Sequence, residues 1–208
     1  MSPLVLRSSI ARRAAACRAP LLLLVGVLGA AACGGPIDPL ASTAVVTDTL
    51  VAWAINGTGS YEPSGFYLAE DRVVNVTSAL TFDFAFDVDS TTGQAVIIPV
   101  RFIEDGSIGA FSVGFQRLTE PFDQVRYAIK ANIPNSGYQT DSVYELSPGQ
   151  GLMMESNPPG CATDPLPFLY GKFVIDSVNK ALRTIHFRAT EDPNCGYREF
   201  NDDSVPTF

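Results

Sequence analysis

Residues 80–89, LTFDFAFDVD, alternate without a break. Leu80, Phe82, Phe84, Phe86 and Val88 fall on one side, and Thr81, Asp83, Ala85, Asp87 and Asp89 on the other. Successive side chains of an extended chain point to opposite faces, so the pattern predicts a half-buried strand. The turn STTG (90–93) leads into QAVIIPVRFI (94–103), and EDGS leads into IGAFSVGFQRL (108–118), with Phe111, Val113 and Phe115 on one face. Three strands joined by short polar turns predict a meander. Pro99 has no N–H to give to a ladder, so an edge or a bulge is expected there.

The same reading extends along the chain. VVTDTLVAWAIN (45–56) predicts a first strand, and FYLA (66–69) and VVNV (73–76) two short ones. SVYEL and GLMMES flank SPGQ (147–150) as a hairpin. Residues 119–132, TEPFDQVRYAIKAN, fit either a helix with Phe122, Val125 and Ile129 on one face or a strand alternating at Val125, Tyr127 and Ile129. The strand-rich surroundings favour the extended form.

PFLYGKFVID (167–176) and ALRTIHFRAT (181–190) flank SVNK as a last hairpin. If Asp176 opposes Lys180, paired residue numbers sum to 356, Leu169 faces Phe187 and Gly171 faces Ile185. Cys161 and Cys195 share that sum, so the register brings them together as a disulfide. Eight to eleven short strands with regular turns predict an all-β fold, an antiparallel β-sandwich of immunoglobulin-like or related type, with a β-barrel as the rival.

Residues 1–32 have a different character. Arg7, Arg12, Arg13 and Arg18 precede an apolar run, Leu21 to Ala32, with no acidic residue in the segment. Such a run spans roughly 18 Å as a helix, short of a hydrocarbon core of about 30 Å. A basic start, a short apolar stretch and small residues before a cut site predict a signal peptide over 1–32. Ala30-Ala31-Ala32-Cys33 resembles the lipobox of bacterial lipoproteins. The resemblance implies cleavage after Ala32 and a diacylglyceryl group on the Cys33 thiol. The family prefers leucine at the place Ala30 holds, so ordinary cleavage near Ala32 stays open as the alternative. Gly34, not aspartate, follows the cysteine, which in that family favours outer-membrane sorting. GGPIDPLASTA (34–44) then reads as a flexible tether, with 45–208 as one domain.

Processing changes the charge balance. Of 14 basic residues the leader holds four, so ten remain against 22 acidic ones and the net charge moves from −8 to about −12. Such a surface repels phosphate backbones and excludes nucleic acid as a partner. Cys17 leaves with the leader and Cys33 is the anchor, so Cys161 and Cys195 are the pair an oxidising compartment joins.

Catalytic chemistry is sparse. The chain has no GxSxG, HExxH, GxGxxG or Walker loop, and no cofactor is expected. His186 is the single histidine, placed opposite Ile185 and Phe187 and expected on the surface. Asp83, Asp87 and Asp89 share one strand face. They are the candidate calcium ligands, with a solvated face as the plainer reading. The pairs Glu70-Asp71, Glu104-Asp105, Glu191-Asp192 and Asp202-Asp203 read as solubilising turn and terminal residues. Tyr138, Tyr197, Phe200 and Phe208 fall in loop or terminal segments, where aromatics make partner contacts. Together these features predict an exported, membrane-anchored, non-enzymatic envelope domain that binds a protein or glycan. A calcium or small-ligand module and a carboxylate-dependent hydrolase of envelope polymers are the alternatives.

Overall fold

In the computed structural model, residues 41–76, 82–103, 113–128 and 137–200 are described. They form two antiparallel five-stranded sheets packed as an open sandwich, not closed into a barrel. The strands are β1 (Val46–Trp53), β2 (Gly65–Tyr67), β3 (Arg72–Val74), β4 (Phe84–Val88), β5 (Ala95–Pro99), β6 (Gly114–Arg117), β7 (Tyr144–Leu146), β8 (Gly151–Ser156), β9 (Leu169–Asn179) and β10 (Thr184–Asp192). One sheet runs β1-β10-β9-β8-β6 and the other β3-β2-β4-β5-β7.

The phenylalanines of the alternating segment join the sheets. Phe84 stacks on Phe173 of β9 with ring centres 5.1 Å apart, and Phe86 meets Phe187 of β10 at 4.6 Å. Leu146, Ile97, Leu152, Ile175 and Ile185 fill the same fully buried layer. Each buried aromatic removes a large apolar surface from water, the dominant favourable term in folding.

The alternation holds for Phe84, Phe86 and Val88 but breaks before them. The chain bends at Asp83, so Phe82 packs on the outer face of its sheet with Val74, Ala85 and Val100. Pro99 ends β5 beyond Ile97, the last residue that β7 pairs, so no neighbouring strand asks it for an N–H on that side.

Three connections differ from the sequence expectation. β6 does not continue a β4–β5 meander but lies in the opposite sheet, paired with β8. Likewise, β7 pairs with β5 while β8 pairs with β6 and β9, so SPGQ is a corner between sheets and not a hairpin turn. In 119–132 the described part is one 3-10 turn, Phe122–Gln124, followed by a bridge from Tyr127 to Glu199. Residues 129–132 lie outside the described residues. Packing decides these placements: Phe115 from β6 buries against Phe84 and Phe173 only by crossing over.

The last hairpin also has another register. Phe187 faces Ile175, not Leu169, and Gly171 faces Glu191, not Ile185. The turn is Lys180–Arg183, because the Asn179 carboxamide oxygen accepts from the N–H groups of Ala181 and Leu182 (3.1 and 3.0 Å) and Arg183 takes a left-handed φ of 54°. A bulge follows, where Asp176 is the extra residue between the Ser177–His186 and Ile175–Phe187 pairs. The disulfide forms all the same, with Cα atoms 5.6 Å apart. A 3-10 turn at Pro159–Cys161 folds the chain back to reach Cys195, so the loop, not the ladder register, supplies the geometry.

β9 is buried on both faces over Leu169–Ile175. Its inner side meets the other sheet. Its outer side lies under the segment carrying Val125, Ala128 and Phe200.

Candidate functional site

Inward-facing positions on β10 are Ile185, Phe187, Ala189 and Glu191, so the row of apolar residues ends on a carboxylate. β1 runs alongside, with Asp48 opposite Ala189 and Val46 opposite Glu191. The 3-10 turn Leu68–Glu70 then lays Asp71 over this end of the sandwich. Close approach is possible because β9 carries Gly171 here. A Cβ at that position would come within 2.6 Å of the Leu68 Cδ1.

The result is a cluster of acids with few donors. Asp71 has a left-handed φ of 41°, unusual for a residue with a Cβ, and both its carboxyl oxygens are buried without a hydrogen-bond donor. Burial, reinforced by Asp48, pushes its pKa up to about 7. Glu191 is 5% exposed, and burial with the nearby charges of Asp71, Asp192 and Asp83 raises it to about 8. Asp83 is buried too and rises to about 6, although the Leu68 N–H (2.7 Å) and the Ser156 hydroxyl donate to it. Asp192 faces the other side of β10. Burial raises it to about 6, while Asn194 donates its backbone N–H and side-chain amide to Oδ1 and leaves Oδ2 unpaired. Raised carboxyls of this kind hold protons near neutrality, the property a general acid needs.

The sequence had read Glu70-Asp71 and Glu191-Asp192 as solubilising pairs. The structure corrects this for Glu191 and Asp192, which the β9–β10 pairing draws inside, and for Asp71, whose carboxyl oxygens are buried where the Leu68–Glu70 turn ends. Glu104-Asp105 and Asp202-Asp203 lie outside the described residues.

Asp83, Asp87 and Asp89 do not share a solvated face. Asp83 is internal. Asp87 pairs with Arg183 (2.7 Å) and accepts from the Asn56 amide (2.7 Å). Asp89 is the exposed one, capping its turn by accepting from Thr92 and Thr91 N–H groups at 2.7 and 2.6 Å. These bonds hold it below the ordinary carboxylate range. Among the described residues, the one group of three potential ligands close enough for a shared ion is Cys161, Asp164 and Cys195, and its two sulfurs are bonded to each other.

His186 is exposed between buried Ile185 and Phe187. Cys33 and Phe208 lie outside the described residues. Tyr138 packs near Tyr170 with ring centres 6.1 Å apart, and Phe200 is buried in the layer over β9, so neither is a free contact aromatic. Tyr197 donates its hydroxyl to Glu199 at 3.2 Å. Among the described residues, the exposed aromatics are instead Tyr61, Phe102 and Tyr127.

Lys172 carries no mark of a role in the sequence, where it stands among apolar residues of the predicted 167–176 hairpin strand. Its ammonium donates to the carbonyls of Phe122 (2.8 Å) and Val125 (2.7 Å) and lies over the Phe122 and Phe200 rings. It fastens the 122–125 segment across β9.

That segment forms one wall of a groove of about 380 Å³ whose other wall is β6 and Leu118. Arg117, Glu120, Arg126 and Tyr127 line it above an apolar floor that includes Met153. Arg72, Arg101, Arg183 and Arg188 are each paired with a carboxylate. Arg117, Arg126 and Arg198 have no such partner among the described residues; Arg126 lies here, while the Arg117 guanidinium lies over the Tyr144 ring of the opposite sheet and that of Arg198 over Tyr170.

No protein-family model, curated protein or solved structure matches this chain.

Proposed function

We propose that the chain is an exported β-sandwich domain, held at a bacterial membrane by a lipid on Cys33, that binds a protein or glycan partner. The observation that carries this reading is the Cys161–Cys195 bond. Structural disulfides belong to compartments where thiols oxidise. The basic, apolar, small-residue leader ending at Cys33 points to the same compartment.

Binding is favoured over catalysis by the work the interior charges already do. Lys172 ties down a loop, Asp83 joins β8 to the Leu68 turn, and Asp87 with Arg183 clamps the end of the last hairpin. The groove beside β6 is a concave surface open to a partner. Gly34 after the anchor favours the outer membrane in bacteria that have one.

Cell fractionation tests the reading. The wild-type chain is expected in the membrane fraction and Cys33→Ala in the soluble exported fraction. A wild-type chain found soluble in the cytoplasm overturns it.

Asp71 and Glu191 favour a second reading, a carboxylate-dependent hydrolase, since each holds a proton near neutrality. That reading requires Glu191→Gln to abolish hydrolysis of an envelope polysaccharide that the wild type degrades.

A further inference from the structure

We infer that the free edge of β1 takes on an extended segment of a partner protein, one that carries a basic residue opposite Asp48. The inference deepens the binding reading above and rests on it.

Backbone direction defines the edge. The Ala54 N–H donates to the Arg183 carbonyl (2.8 Å), one step beyond the Trp53–Thr184 pair of the β1–β10 ladder. Even-numbered residues of β1 therefore turn their backbone groups toward β10. Odd-numbered ones turn theirs outward, as Trp53 does in donating to the Pro63 carbonyl at 3.0 Å. Thr47, Thr49 and Val51 thus present N–H and C=O groups in a row, and none of these meets a partner among the described residues. An antiparallel strand laid here satisfies them all.

The other edges are short or closed. β3 and β7 have three residues each, and Phe115 of β6 exchanges both its outward backbone bonds with Gln139, at 2.9 and 2.8 Å. β1 has eight residues, with no lysine, proline, glycine or bulge to turn a second strand away. Thr47 and Thr49 are exposed, so the row is open to solvent.

Charge selects the segment. Asp48 lies against Asp71, whose two carboxyl oxygens are buried without a donor. Glu191 is beside them, 5% exposed, and receives no hydrogen bond either. Asp83 and Asp192 add like charge, while Arg72, next to Asp71 in the chain, is held by Glu70. The site lacks a cation. On an added strand the residue opposite Asp48 falls at a non-hydrogen-bonded position, where facing side chains approach most closely. A lysine or arginine there reaches Asp48 and Asp71 together. A second copy of this chain fits less well. In the symmetric pairing centred on Thr49, Asp48 of each copy faces Leu50 of the other, and the acids stay without a cation.

The test is calorimetric titration of the full chain in mild detergent at low salt with the acetylated, amidated peptide TVTKTVT. Controls are TVTQTVT, which lacks the charge, and TVPKPVT, which lacks the N–H groups that face Thr47 and Thr49. The lysine peptide is expected to bind, and each control to bind at least about tenfold more weakly, the weight of a charge-assisted hydrogen bond or of two neutral ones. Asp48→Asn is expected to weaken the lysine peptide by a similar factor and to leave TVTQTVT unchanged. Thr49→Pro is expected to abolish binding with little change in Tm, because the N–H it removes points away from β10. The peptide controls read the same edge without altering the protein. No binding at millimolar lysine peptide, equal binding of either control, or an unaffected Asp48→Asn or Thr49→Pro overturns the assignment. A dimer in sedimentation that Thr49→Pro dissolves overturns it too, since a second copy then holds the edge. Membrane fractionation is read separately, so failure here leaves the anchoring reading standing.

Discussion

Asp71 and Asp48 face one another at one end of the sandwich, close enough that a proton on one lets it hydrogen-bond the other. Glu191 sits beside them at the end of the apolar row on β10. The fold therefore binds protons at this end more tightly than the unfolded chain does.

The consequence is a stability that falls as pH rises. Asp71, Asp83, Asp192 and Glu191 all have folded pKa values above their ordinary ones, between about 6 and 8. Each contribution is complete below the unfolded value near 4 and is lost as pH climbs through the folded value. Tm is expected to be higher at pH 5 than at pH 8. Asp71→Asn removes one repelling charge and is expected to gain about 1–2 kcal/mol at pH 8, after allowance for screening by solvent, and little at pH 5. Thermal melts across that range check this; a Tm that rises from pH 5 to pH 8 contradicts it.

Gly171 is the residue that lets the Leu68 turn lie on β9. A methyl group there meets Leu68 Cδ1 at 2.6 Å and the Thr190 carbonyl at 3.2 Å. Gly171→Ala is expected to cost about 1–3 kcal/mol, the usual penalty of overpacking a tight core. Urea unfolding measures the loss, and a midpoint within error of the wild type argues against the packing described.

The disulfide closes the longest hairpin at its open end. Its removal returns loop freedom to the unfolded chain, so Cys161→Ser is expected to lower stability by about 3 kcal/mol. Urea unfolding of the variant beside the wild type checks the figure, and an unchanged midpoint contradicts a stabilising role.

How much of this could be read in the sequence differs from residue to residue. Phe84 and Phe86 announced their strand, because period-two alternation is a local consequence of an extended backbone. The pairing of Cys161 with Cys195 followed from having two cysteines in a domain expected to be exported, but the register offered as its geometry was wrong. Asn179 held the missing signal: an Asx turn beginning there moves the loop to Lys180–Arg183. The crossing of β6 was not legible, since Phe115 chooses its sheet by packing on Phe84 and Phe173, which lie far from it in the chain.

The acids show the same limit. Asp71 and Glu191 look like surface residues beside polar neighbours and Asp83 like the polar side of an alternating strand, and nothing local marks their carboxyls as buried. Their surroundings come from Ser156, Gly171 and Asp48, brought together only when both sheets have formed. The groove was equally silent, as Met153 joins the 116–127 lining only in the folded chain.

The covalent state of the N-terminus and the cysteines bears most directly on the proposed anchoring. Intact-mass measurement of the membrane-purified protein, after alkylation without reduction, reads the N-terminus and the cysteines together. The expected result is a chain beginning at Cys33, heavier than residues 33–208 by a diacylglyceryl group or more, with Cys161 and Cys195 both unalkylated. A chain that still begins at Met1, or one that carries alkylated Cys161 and Cys195, contradicts it.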